Sequence, residues 1–138
     1  MTAVPADDPS IADVELLWRR IRPDWVVYDK NLQRYRPKSI AFQNYKGTEA
    51  MSVILARARG NDAHTAVSGR HSDYFVAEFT AGFARGLSQG VVPFLDPGEA
   101  GHHHVVGKKT GSVKDRFAKQ SAWRIAPPAD FDPELLAT

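Results

Sequence analysis

The 138-residue sequence contains no cysteine and only two methionines. The missing thiols exclude disulfides and thiolate-held metal centres, and they suit a reducing compartment. No apolar run in the sequence approaches the roughly 18 residues that a membrane-crossing helix requires. The opening Met-Thr-Ala-Val-Pro-Ala-Asp-Asp has neither the basic nor the apolar segment of a secretory leader. These absences lead us to expect a cytoplasmic protein with no membrane partner. A chain of this length without staples must rest on one hydrophobic core, into which it can fold about two-thirds of its unfolded surface.

Acid is scarce in the middle of the chain. Asp7, Asp8, Asp13 and Glu15 precede the first strong apolar run, and Asp130, Asp132 and Glu134 follow the last. Taking these seven from sixteen acids leaves nine in residues 16–128, against all eighteen Lys and Arg, so the body carries about nine positive charges although the chain's formal net charge is only +2. Such a body attracts anions, and the acidic ends either screen it or keep it soluble. The expected organisation is an acidic flexible tail over 1–12, a single domain over 13–126 and an acidic, Pro-rich tail over 127–138.

Within the body the apolar pattern predicts short strands around residues 16–21, 26–28, 39–43, 51–56, 74–79, 91–95, 102–106 and 123–125. The first of these could instead close a short helix running from Asp13, since its apolar residues fit neither period cleanly, and Pro23 ends it either way. Pro93 places the segment 91–95 at a sheet edge. Two short helices are expected at about 80–87, capped by Thr80, and 112–122, capped by Ser112. The fold class is α+β, with a mixed, mostly antiparallel sheet, and parallel pairing is open within the units 74–95 and 102–125.

The most informative stretch is Gly101–Trp123, which reads as strand, cationic loop and basic helix. Gly107 and Gly111 flank Lys108, Lys109 and Thr110, and Ser112, Lys114 and Arg116 follow. Lysines beside a helix N-terminus are the components of an anion site, with Lys108 and Lys109 expected to be solvent-exposed. The order of residues is not that of a P-loop, which argues against a nucleoside triphosphatase. A second basic cluster, Arg19, Arg20 and Arg22, is interleaved with Trp18 and Trp25, a mixture suited to phosphates and stacked bases and equally to an ordinary sheet. His102 and His104 would share one face of a strand and could hold a metal if Asp96 or Glu99 approached, but no known ligand spacing is present. No cofactor motif is read.

The strings Leu-Trp-Arg-Arg-Ile, Arg-Pro-Lys-Ser-Ile-Ala-Phe and Val-Val-Gly-Lys-Lys-Thr resemble those of small bacterial proteins in which similar strings recur along most of the chain, a resemblance that implies no activity. Residues 16–58, opening with Leu17-Trp-Arg19, also resemble RES-type ADP-ribosyltransferase-like domains, though their Gly-Arg-Trp string is absent. That second resemblance implies an NAD-consuming site in which Arg19 or Arg20 clamps the pyrophosphate, with Ser39 and either Glu49 or Glu78 beside it. Three readings follow. The first is a non-enzymatic binding module whose cationic surface recognises phosphate groups of a nucleic acid or an acidic protein. The others are the NAD-consuming transferase, with Arg19, Ser39 and Glu78 catalytic, and an accessory protein with no small-molecule ligand.

Overall fold

The computed structural model describes residues 5–132. Its centre is a six-stranded sheet of β1 (Leu16–Ile21), β4 (Ala50–Leu55), β5 (Phe75–Thr80), β6 (Gly90–Pro93), β7 (His102–Val106) and β8 (Ala122–Ile125), in the order β6-β7-β4-β1-β5-β8. A separate hairpin joins β2 (Val26–Asp29) to β3 (Arg34–Pro37). Two helices, α1 (Ala81–Gly86) and α2 (Gly111–Gln120), complete the α+β domain. No helix among the described residues is long and apolar enough to cross a membrane.

The first strand fits neither period because the sheet is covered on both faces. Leu17 and Ile21 point to the larger core, with Met51, Val53, Ala77, Phe79, Val91 and Val105. Trp18 points to a smaller one, with Ile54, Ala56, Ala63, Ala66 and Val76. A strand buried on both sides places apolar residues on both faces instead of alternating, and here Arg19 and Arg20 interrupt the run Leu16-Leu-Trp-Arg-Arg-Ile21. In the larger core Phe117 of α2 stacks on Phe42 at 5.4 Å and meets the edges of Phe79 and Phe83 at 4.9 and 5.6 Å. One side chain thereby ties α2, α1, β5 and the segment after β3 together.

Three expectations are corrected. Ser39–Phe42 is a 3-10 turn and not a strand. Phe42 is fully buried against α2 while Ile40 is largely exposed, so the alternation records one anchored turn and not a pleat. All pairings are antiparallel, and the two helical connections lead to strands that are not neighbours, β5 to β6 and β7 to β8. The cap of α2 is Thr110, whose hydroxyl accepts the Val113 N–H at 3.2 Å, and Ser112 lies inside the first turn. Thr80 does cap α1, accepting from Phe83 N–H at 3.0 Å.

The ends of the chain are also attached further than composition implies. Asp8 N–H donates to Val91 O at 2.8 Å, Val91 N–H donates to Asp7 Oδ1 at 2.9 Å, and Ile11 is buried in the larger core. Residues 6–8 lie so close along the β6 edge that a Cβ on Gly90 would stand 1.8 Å from Ala6 O. This covers an edge that would otherwise offer unpaired N–H and C=O groups. At the other end Phe131 packs edge-on against Phe75 and Tyr35, at 5.3 and 5.9 Å. Ile11 and Phe131, in the described parts of the two expected tails, thus pack on the domain body.

Truncating Phe117 to Ala should lower the unfolding free energy by about 3–5 kcal/mol, because three aromatic contacts and a core volume are lost together. Thr110→Ala should cost only about 1 kcal/mol, the value of a helix cap. Urea unfolding of both variants checks the ranking, and similar midpoints would show that α2 is held by its first turn and not by Phe117.

Candidate functional site: a cleft where two strands part

Strands β1 and β4 pair at Leu17 with Leu55 and at Trp18 with Ile54, and the ladder stops there. Beyond it β1 continues with β5 on its other side through Ile21, and β4 continues with β7 through Ala50. The two halves of the sheet therefore diverge, and a cleft of about 210 Å³ opens between them. Its walls include Arg19, Arg20, Arg22 and Trp25 from the β1 side, and Ser52 and His102 from the β4–β7 side. His71, Tyr74 and Glu99 reach it from loops.

Arg19 spans the gap. Its Nε–H donates to Ala41 O and its Nη1–H to Ser52 O, both at 2.9 Å. It forms no ion pair among the described residues, so its charge is met by carbonyl dipoles and by the Trp25 ring. Burial, reinforced by the charge of Arg20, pushes its guanidinium down to about 10. Such a group still carries its proton at neutral pH. Arg19 and Arg22 also hold their guanidinium carbons 5.8 and 5.0 Å from the Trp25 ring centre, within cation–π range.

The other two arginines of the cluster are already partnered. Arg20 donates to Glu99 Oε1 at 2.5 Å and to Ala66 O at 2.6 Å, and Arg59 reaches the same carboxylate oxygen at 3.0 Å. Burial works to raise the Glu99 carboxyl, but the Arg20 hydrogen bond and the charges of Arg20 and Arg59 outweigh it and hold it below the usual range. Arg22 forks onto exposed Asp24 at 3.0 and 2.9 Å. His71 meets Tyr74 edge-on at 4.9 Å, and its imidazole is lowered by burial and then by Arg20 and Arg70.

Across the cleft Ser52, His102 and Asp96 form a hydrogen-bonded chain. Ser52 Oγ is bonded to His102 Nε2, and His102 Nδ1 lies 3.2 Å from Asp96 Oδ2. The Gly98 N–H holds the other oxygen of Asp96 at 3.1 Å. Both nitrogens of His102 are thereby used, which leaves none for the metal considered with His104. His104 instead stacks on Phe94 at 4.4 Å, and its imidazole is lowered by burial and by the neighbouring His102 and His103. Among the described residues no group of three His, Asp or Glu is placed to hold a metal ion.

The remaining expected site residues divide between places. Lys108 and Thr110 border a second hollow of about 810 Å³, together with Glu49, Arg85 and Gln89. Lys109 is not solvent-exposed as expected but folds inward, donating to Asn44 Oδ1 at 2.6 Å and to Val105 O and Gly107 O at 3.1 Å. Three neutral acceptors solvate this ammonium in place of water. Burial, then the charge of Arg19, brings it down to about 8, against a smaller opposing pull from Glu49. Ser112 and Arg116 are exposed on α2 and Lys114 is half-buried there, apart from Arg19, Arg20 and Arg22.

The set Arg19, Ser39 and Glu78 does not assemble. Ser39 bonds Asp115 of α2 on the larger-core side, whereas Glu78 accepts the Trp18 indole N–H at 2.9 Å on the opposite face. Sequence reasoning did not single out Ser52, His71 or Tyr74, and it weighed Asp96 and Glu99 only as metal ligands. The register that sets Ser52 opposite His104, and so diagonal to His102, joins residues 50 apart and has no local signature. No protein-family model, no curated protein and no solved structure matches the chain.

Lys109 gives the stability of the fold a pH signature. The folded protein releases this proton near pH 8, whereas the unfolded chain keeps it to about 10.5. Between these values the unfolded state binds more protons, so stability should climb with pH. Lys109→Met should abolish that climb. Chemical denaturation at pH 7.5, 9 and 10.5 tests it, and parallel profiles for the two proteins would assign the climb to other groups.

Proposed function

We propose that this chain is a binding module for phosphate-bearing ligands and that its site is the β1–β4 cleft, not the lysine loop. One observation carries the reading: a half-buried guanidinium, Arg19, faces the cleft with hydrogen bonds to carbonyls and, among the described residues, no ion pair. An anion entering there gains a charge-assisted bond without having to displace an internal ion pair. Trp25 supplies an apolar wall beside it, and Arg22 is exposed enough to turn from Asp24 toward a second oxygen.

The size of the cleft supports a small ligand. About 210 Å³ suits one phosphate with part of a sugar or base, and a longer nucleic acid would enter only by a terminal residue. An acidic protein would have to insert a single side chain. The NAD-consuming alternative loses the set Arg19, Ser39 and Glu78, because Ser39 and Glu78 lie on opposite faces, and its other acid, Glu49, borders the second hollow and not the cleft. The cytoplasm is the compartment that accords with a thiol-free chain binding a phosphate compound.

Calorimetric titration at low salt with AMP, adenosine and inorganic phosphate tests the reading. AMP should bind and adenosine should not. Arg19→Gln should weaken AMP by about 10- to 100-fold, the worth of one hydrogen-bonded charge. Trp25→Ala should weaken AMP more than it weakens phosphate. Equal binding of AMP and adenosine, or no binding of any of the three, overturns the proposal.

A further inference from the structure

The cleft's second wall, lined by Ser52 and His102, carries a different chemistry. Ser52 is exposed on β4, and its Oγ is bonded to a ring nitrogen of His102, a half-buried residue whose imidazole side chain is only 15% exposed. The far ring nitrogen faces Asp96, and Asp96 is itself anchored by the Gly98 N–H. The order hydroxyl, imidazole, carboxylate is the one in which a serine can be activated as a nucleophile. An Nδ1–H donated to Asp96 fixes the tautomer that leaves Nε2 free to accept the serine proton. The Phe94 ring, 4.9 Å away and edge-on, shields the imidazole on another side.

We infer that Ser52, His102 and Asp96 form a nucleophilic relay that hydrolyses small carboxylic esters bearing a phosphate or carboxylate, with the anionic group held by the arginine wall. The choice of substrate, though not the relay, rests on the anion-binding reading above. Ser52 Oγ attacks the ester carbonyl carbon as its proton passes to His102 Nε2. The C–O bond to the alcohol then breaks, and the departing alkoxide takes that proton. Water adds to the acyl-Ser52, gives its proton to Nε2, and the acyl–Oγ bond breaks as Oγ is reprotonated.

The geometry also supplies a place for the oxyanion. In an antiparallel strand the N–H and C=O of one residue point to the same side. Ser52 O is turned toward β1, where Arg19 Nη1 meets it at 2.9 Å, so the Ser52 N–H faces the same gap. Its partner strand has ended its ladder at Trp18. A donor on the nucleophile's own amide, fixed before the substrate arrives, stabilises the tetrahedral intermediate without reorganisation. Arg19 acts here as a positioning residue, since it holds the Ser52 carbonyl and through it the direction of that amide.

Two measurements on the full chain test this. A fluorophosphonate probe, in which Oγ displaces fluoride from phosphorus, should add one adduct to the intact mass and map to Ser52. Ser52→Ala should abolish labelling, and His102→Gln and Asp96→Asn should slow it by 100-fold or more, with circular dichroism checking that each is folded. Hydrolysis of the p-nitrophenyl monoester of succinate should exceed that of p-nitrophenyl butyrate by about tenfold in kcat/KM. No adduct on the wild type, an adduct elsewhere, or equal labelling of Asp96→Asn and wild type overturns the relay, and AMP binding then stands unaffected. Labelling of Ser52 with no preference for the succinate ester, and no AMP binding, leaves the nucleophile and removes the anionic substrate.

Discussion

Arg19 stands where the hydrogen bonds between the two halves of the sheet end. It projects from β1 to the larger-core side, in line with Leu17 and Ile21, and a guanidinium there cannot be left unsolvated. It takes the Ala41 carbonyl from the turn after β3 and the Ser52 carbonyl from β4. Ser52 O is therefore satisfied by a side chain at the point where a neighbouring strand would otherwise bond it. The cleft exists because the two strands part, and Arg19 keeps that parting from exposing unsatisfied backbone.

The rest of the domain keeps this gap rigid. Phe42 ends the turn that carries the Ala41 carbonyl, and its stacking on Phe117 anchors that turn to α2. On the opposite face Trp18 is fully buried and donates its indole N–H to Glu78, so β1 is also pinned to β5 just before the divergence. Lys109 adds a second inward-facing cation near Arg19, held by Asn44 and two carbonyls. Arg19 and Lys109, neither of them ion-paired among the described residues, thus place two half-buried cations close together.

Much of the fold was legible locally. The alternation from Phe75, the Thr80 cap and the edge position forced by Pro93 all stand where short-range chemistry puts them. Failures came where a distant contact overrode a local pattern. Ile40 and Phe42 looked like one strand face, but only Phe42 meets α2. Ser112 is by chemistry at least as good a cap as Thr110, yet the helix begins at Gly111 and takes the earlier one. The lysine loop read as exposed because nothing nearby in sequence shows that Asn44 waits for Lys109.

The sequence by itself determined the parts that depend on composition and near neighbours: a thiol-free α+β domain with a basic body, most of its strands, both helices and the arginine cluster on the first strand. Tertiary structure alone decided which of those charges face each other and which acquire partners. Glu99 neutralises Arg20 across 79 residues, and β4 lies beside β7 so that Ser52 reaches His102 across 50. Strand pairing of that range carries no local signal, because its register is set by the side chains that each face must bury. The site is a product of that register, and its residues become a set only when the sheet has formed.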